Sequence, residues 1–274
     1  MSSVVAAVLL AAALHAGWNA LAHAITDRLV TFTLLSATAA VAAAVAIPFV
    51  GFPSAASWPL LAASAVLHLA YNGLLMRSYR LGDFNQAYPL ARGTSPWVVA
   101  IIATLVVGEE LATRGLIGVL VISAGLATLI GRPHRKDLSA LTAAFCTGLT
   151  IAAYTVVDGV GVRRSGTTLG YIAWLFLLEG VPIPLYAAAA RGRRLGAQLR
   201  PLWRQGVAGG LLSVGAYGLV LWAQTRGALA AIAALRESSI VMGAVIGAVF
   251  FHEHFGRTRF VATVIVVIGI VLVA

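Results

Sequence analysis

The chain predicts an all-α polytopic membrane protein: ten transmembrane helices arranged as two inverted five-helix repeats around a central cavity. Three observations carry that expectation. Of 274 residues, 60% are hydrophobic and only 10% are charged, against about 25% charged in soluble domains. The apolar residues fall into ten runs of the length needed to span a bilayer, about 20 residues each. A shift of 144 positions lays Arg92 on Arg236, Ser95 on Ser239, Glu109 on Glu253 and Gly125 on Gly269. Five helices per repeat is an odd number, so the second copy must sit upside down. Inverted repeats with a midplane site are a transporter signature.

The runs are 3–24, 30–50, 58–78, 84–107, 113–131, 138–159, 167–189, 205–225, 229–251 and 257–274. They divide into a first repeat over 1–131, a linker over 132–137 and a second repeat over 138–274. The first run ends on Ala20-Leu21-Ala22-His23-Ala24, which has the small residues of a leader cleavage site. It has no basic segment before it, and His15, Trp18 and Asn19 interrupt its apolar stretch, so it is expected to be a retained helix.

Charge sets the expected orientation. Of the 19 Lys and Arg, 13 fall in the loops after the odd-numbered runs and 4 on the other side. Arg92 and Arg236 lie inside the membrane. The positive-inside rule then puts the odd loops in the cytoplasm and both termini outside. The net charge of +10 therefore reports topology, and no nucleic-acid motif accompanies it. The single cysteine, Cys146, excludes an intramolecular disulfide and a Cys-rich metal site. His252-Glu253-His254 lacks further ligands, so no metal is expected, and no cofactor. No HExxH, P-loop or GxSxG is present, so neither ATP-driven transport nor a familiar hydrolase is indicated.

Candidate site residues are the polar ones within the runs. The first run carries His15, Trp18, Asn19 and His23 on one face, and the third carries His68, Tyr71 and Asn72 in the same His-x-x-aromatic-Asn arrangement. Two readings are open: side chains lining one cavity, or hydrogen-bonding glue between helices. The fourth run carries Tyr88, Arg92 and Ser95 with Pro89 and Pro96 as expected kinks; the ninth carries Arg236, Glu237 and Ser239. Neighbours Arg236 and Glu237 point about 100° apart on a helix and cannot pair on one face, so Glu237 is expected to pair with Arg92 from the other half. Intramembrane ionisable groups mark functional sites by default; a purely stabilising ion pair is the alternative. Tyr154 and Tyr217 sit deep enough to line a cavity. Glu237, Glu179 and Asp158 are possible proton carriers. The fifth and tenth runs are almost purely apolar, with Gly118, Gly125 and Gly269, and read as peripheral packing or a dimer face. The prolines around Arg92 have no counterpart near Arg236, so the fourth run is expected to bend more than the ninth.

Several segments together resemble the ten-helix drug/metabolite transporter superfamily, in its EamA-type branch of bacterial exporters. They are Leu14-His15-Ala16-Gly17-Trp18-Asn19-Ala20, Ala87-Tyr88-Pro89-Leu90, Gly108-Glu109-Glu110-Leu111 and His252-Glu253-His254-Phe255. The resemblance covers essentially the whole chain. It implies a bacterial inner-membrane exporter whose helices 1, 3, 4, 6, 8 and 9 line a cavity while 5 and 10 sit apart. Two features depart from it: Glu110 stands where a basic residue is usual, and the family implies cytoplasmic termini, opposite to the charge count.

The expected function is secondary transport of amino acids or similar small polar metabolites by alternating access, in a monomer or homodimer among membrane lipid, with protons as a possible coupling ion. Arg92 and Arg236 would attract a carboxylate and Glu237 would face an ammonium group. His15, Trp18, Tyr71, Asn72, Tyr88 and Tyr217 would shape the cavity. The alternatives are an organic-anion transporter for phosphonates or sugar phosphates, or a membrane enzyme or lipid-handling scaffold.

Overall fold

The computed structural model describes residues 2–23, 25–81, 84–130, 138–250 and 256–274; no strand occurs among them. The first half of the chain contributes α1 (Ser2–His23), α2 (Arg28–Ala46), α3 (Trp58–Leu81), α4 (Phe84–Ile102) and α5 (Thr113–Ala127). The second half contributes α6 (Leu138–Arg164), α7 (Thr168–Gly180), α8 (Pro182–Arg191), α9 (Arg194–Leu199), α10 (Trp203–Gln224), α11 (Leu229–Arg236), α12 (Ser238–Phe250) and α13 (Arg257–Val273). Among the described residues, seven helical segments are long and apolar enough to cross a membrane: Ser3–Ala22, Arg28–Phe49, Ala55–Ser78, Tyr88–Val107, Leu138–Arg164, Thr168–Arg191 and Arg194–Gln224; Thr113–Ala127 is a shorter apolar helix. The 132–137 linker and the His252-Glu253-His254 turn lie outside the described residues, as does the side chain of His23.

The molecule is apolar on the outside and polar in the middle. Phe49, Leu105, Val106, Val41 and Val271 are all more than half exposed, while Arg92, Arg236, Glu237, Asp158 and Gln224 are buried. A surface of that kind is matched to lipid, and a multi-pass membrane protein is the consequence. Buried threonines satisfy themselves on their own helices. Thr94 donates to the Leu90 carbonyl at 2.7 Å and Thr155 to that of Ile151 at 2.6 Å, so they leave no polar atom facing lipid.

Two of the expected runs are interrupted. The seventh is cut into α7 and α8 at Val181, where Pro182 opens a new helix at a position that needs no donor. The ninth is cut into α11 and α12 at Glu237, whose amide turns back to the Ala234 carbonyl at 3.0 Å. The helix of the fourth run, by contrast, continues through both Pro89 and Pro96. It ends in a wider turn over Ala103–Val107, closed by Gly108 at φ +75°. The greater bend expected of the fourth run thus comes with no interruption of its helix, whereas the ninth run is interrupted. The ninth run breaks where two charges, Arg236 and Glu237, sit side by side.

The glycines of the fifth and tenth runs are used within the chain. A Cβ on Gly118 would lie 2.9 Å from the Gly269 carbonyl oxygen, and one on Gly269 the same distance from that of Gly118. Only glycine at both positions lets α5 and α13 cross this closely. These residues are consumed by an intramolecular crossing rather than left free as a dimer face.

Contacts between loops fall into two sets. At one end Arg191 reaches Asp27 at 2.9 Å, joining the loops after α1 and α8. Partial burial pushes the Asp27 carboxyl up, but the Val30 amide, Arg191 and the Leu29 amide outweigh it and hold the group below the usual carboxylate range. At the other end Ser54 donates from its amide to the Ser165 carbonyl and from its hydroxyl to that of Arg164. There Arg163 meets Glu109 at 2.6 Å and donates to the carbonyls of Gln224 and Gly227, while Glu109 also accepts from the Leu229 amide. This second end is knitted shut by residues from both halves of the chain.

Candidate functional site

A cavity of about 130 Å³ lies among α1, α2, α3, α4, α6, α7, α10 and α11. Its wall includes His15 and Trp18 from α1, and His68, Tyr71 and Asn72 from α3. The two matching clusters therefore do meet across one space. Trp18 donates its indole N–H to Nδ1 of His15 at 3.3 Å, which leaves Nε2 of that ring to carry the proton. Asn19 does not reach the cavity; its amide donates to the His15 carbonyl at 2.8 Å. The imidazole of His68 stacks on Tyr154 with centroids 4.0 Å apart, and Tyr217 and Tyr71 stand edge-on to that stack. Three tyrosines and a histidine thus make one aromatic side of the cavity.

The charges fall into two groups. Arg92 on α4 is bound up at the helix break: Nε lies 2.8 Å from Oε2 of Glu237, and Nη2 donates to Oγ of Ser239 at 2.9 Å. The Nε–Glu237 approach is an ion pair without an aligned hydrogen bond. Glu237 is fully buried behind Arg92 and is not part of the cavity wall. Tyr88 lies within electrostatic reach of both groups, and Ser95 is buried in α4; neither borders the cavity.

Arg236, the last residue of α11, borders the cavity, as Arg92 does. Its side chain is buried, and among the described residues Nε and Nη2 have no hydrogen-bond partner. A buried guanidinium with open donors is costly unless something enters to meet it. On the α7 side the wall carries Glu179, with Oε2 3.5 Å from Nδ1 of His68. Asp158 is held behind the aromatic side, accepting from the hydroxyls of Tyr217 at 2.5 Å and Tyr171 at 3.0 Å. It fixes Tyr217 and does not touch the cavity.

Two helices that the resemblance leaves out also contribute. α2 supplies Phe32, Leu35 and Ser36, and α7 supplies Phe176 beside Glu179. Nothing in the pattern of α2 marks it, because its lining face is apolar or small. Glu179 carried a signal, being the lone charge of its run. No cluster of three or more metal-ligating side chains occurs among the described residues.

The cavity holds two guanidiniums, one of them already paired with Glu237, together with an acid and aromatic rings, inside a helical bundle with an apolar exterior. Comparison with known proteins agrees with that architecture. No curated protein matches the chain. A solved structure described only as "Crystal structure of protein" aligns with a TM-score of 0.76 over 99% of this chain and 96% of its own length, at 17% identity. At that identity the likeness concerns the fold. A family model described as the EamA-like transporter family matches residues 137–274, the half that supplies α6 to α13 and with them Glu179, Arg236 and Glu237. The chain belongs to the EamA-like transporter family.

Proposed function

We propose that the protein is a secondary transporter that exports amino acids across a bacterial inner membrane by alternating access. The observation that carries this reading is Arg236, a buried guanidinium that borders the same cavity as Glu179 and has two donors, Nε and Nη2, without a partner among the described residues. A carboxylate would take the open donors in a forked, charge-assisted pair. An ammonium would face Glu179 and the π faces of Tyr154 and Tyr217. A zwitterion satisfies both poles at once. Of the two guanidiniums that border the cavity, Arg236 is the one not paired with Glu237; it also suits a simple organic anion, but such a substrate would leave Glu179 without an ammonium. Of the two arginines expected to attract the carboxylate, Arg236 keeps that role, whereas Arg92, which also borders the cavity, is already held by Glu237 and Ser239.

Ten membrane crossings in two inverted halves account for the loop contacts. Alternation puts the loops after α1 and α8 at one end, and residues 51–54, 109, 163–167 and 226–229 at the other. The observed contacts respect that division. The break at Glu237 places backbone and charge at mid-membrane in the manner of discontinuous transporter helices. In the cycle, the knot of Glu109, Arg163 and Leu229 opens while the other end closes around the cavity. Of the three carboxylates able to carry a proton, Glu179 alone borders the cavity. It is the group at which substrate ammonium and proton would compete. By the charge bias the Asp27–Arg191 end is cytoplasmic.

Counterflow of labelled amino acids in proteoliposomes tests the reading. Exchange of at least one neutral amino acid, lost in Arg236→Gln, is the expected result. Exchange of organic anions alone, or of nothing, overturns it.

A further inference from the structure

We infer that Glu237 sets how many negative charges the cavity accepts, by cancelling Arg92 so that Arg236 alone meets the substrate. This rests on the transport reading above and adds a specificity-determining residue that never touches the cargo. Two guanidiniums border one small space. With both open, the site would be dicationic and would favour substrates with two anionic groups. Glu237 prevents that. It is fully buried, outside the cavity wall, and 2.8 Å from Nε of Arg92. Ser239 occupies Nη2 of the same guanidinium. A closely spaced ion pair presents a dipole, whose field fades faster with distance than that of a lone charge.

Arg236 and Glu237 sit at the break between α11 and α12. Arg236 closes α11 and Glu237 is the single residue before α12 begins. The two neighbours therefore leave the backbone in different directions, one towards the cavity and one towards α4. A continuous helix would also separate them, but the break lets Ser239 join Glu237 on the Arg92 side.

Glu237→Gln tests this with the shape conserved. Asparagine with aspartate, and glutamine with glutamate, are pairs of nearly equal shape that differ by one charge. In counterflow the wild-type protein is expected to favour the amide member of each pair. Glu237→Gln, which opens Arg92, is expected to shift the acid-to-amide ratio by roughly tenfold or more, the equivalent of one charge-assisted contact. The double variant Arg92→Gln with Glu237→Gln removes a cation and an anion together and is expected to return the ratio to that of wild type. Where Glu237→Gln alone fails to fold, recovery of folding and of the wild-type ratio in the double variant demonstrates the same cancellation. An unchanged ratio in Glu237→Gln overturns the inference, as does a double variant that keeps the shifted ratio or does not fold. Arg236→Gln separates the two levels. Retained amino-acid exchange in that variant defeats the transport site itself, whereas its loss beside an unchanged ratio in Glu237→Gln defeats only the role of Glu237. Exchange of none of the four amino acids by wild type overturns the role of Glu237, and the transport reading falls with it only when no other neutral amino acid exchanges either.

Discussion

Arg92 and Arg236 are both buried guanidiniums, yet replacing them with methionine should move stability in opposite directions. Methionine keeps the unbranched stem and removes the charge. Arg236 holds two donors, Nε and Nη2, that have no partner among the described residues. Each unsatisfied buried donor costs roughly 1–3 kcal/mol, so Arg236→Met should stabilise the substrate-free protein by up to about 2–6 kcal/mol. Arg92 is paired, and removing it strands Glu237 fully buried without its cation. Breaking a buried pair from one side costs about 3–5 kcal/mol. Arg92→Met should therefore destabilise by that amount. Denaturant unfolding in mixed micelles, followed by tryptophan fluorescence, reads both variants against wild type. The reasoning fails if Arg236→Met destabilises as much as Arg92→Met does. Arg236 would then have an internal partner, and the cavity would have no open cation to offer.

Three further outcomes are expected. Glu109→Gln loosens the knot that Arg163, Gly227 and Leu229 make at one end; with Cys146 replaced, a cysteine introduced at Ser213 of the cavity wall should label faster with an impermeant thiol reagent added from that end, and unchanged labelling would show that the knot is not a barrier. Gly148→Ala should lower stability by about 1–3 kcal/mol through overpacking, since its Cβ would lie 2.7 Å from the Ala91 carbonyl and 2.6 Å from Cβ of Thr94; an unaltered unfolding midpoint would contradict the tight α4–α6 approach. Asp27, held below the usual carboxylate range by the Val30 amide and Arg191 against partial burial, contributes stability above the ordinary carboxylate value and loses it only as pH falls through its lowered one; Asp27→Asn should flatten the acid limb of the stability profile, and an identical acid limb would remove Asp27 from the account.

Much of the architecture was legible because membrane helices announce themselves by length and apolarity. The pairing of Arg92 with Glu237 was also legible, since neighbours on a helix cannot pair and each charge needs a counter-ion elsewhere. The face shared by His15, Trp18, Tyr71 and Asn72 followed from spacing alone. Other features depend on tertiary context. Which of Arg92 and Arg236 stays open was decided by the break at Glu237, and nothing in the local sequence distinguishes a kink at a charge pair from one at Pro89 or Pro96. The α2 wall was invisible because Phe32, Leu35 and Ser36 would serve equally well against lipid or a neighbouring helix. Asp158 looked like a proton carrier by type. The hydrogen bonds that Tyr171 and Tyr217 bring to it from distant helices had no signal in its own run.

The central claim is that one cavity holds both ends of a zwitterion, with Arg236 on the carboxylate and Glu179 on the ammonium. Competition against a bound labelled amino acid tests it most directly, using that amino acid, its deaminated acid and its decarboxylated amine as competitors. The account predicts that wild type binds the complete amino acid more tightly than either fragment, by roughly tenfold or more for each lost charge contact. Glu179→Gln should erase the advantage over the deaminated acid, and Arg236→Gln the advantage over the amine. A wild-type protein that binds the deaminated acid as tightly as the amino acid itself would contradict the account.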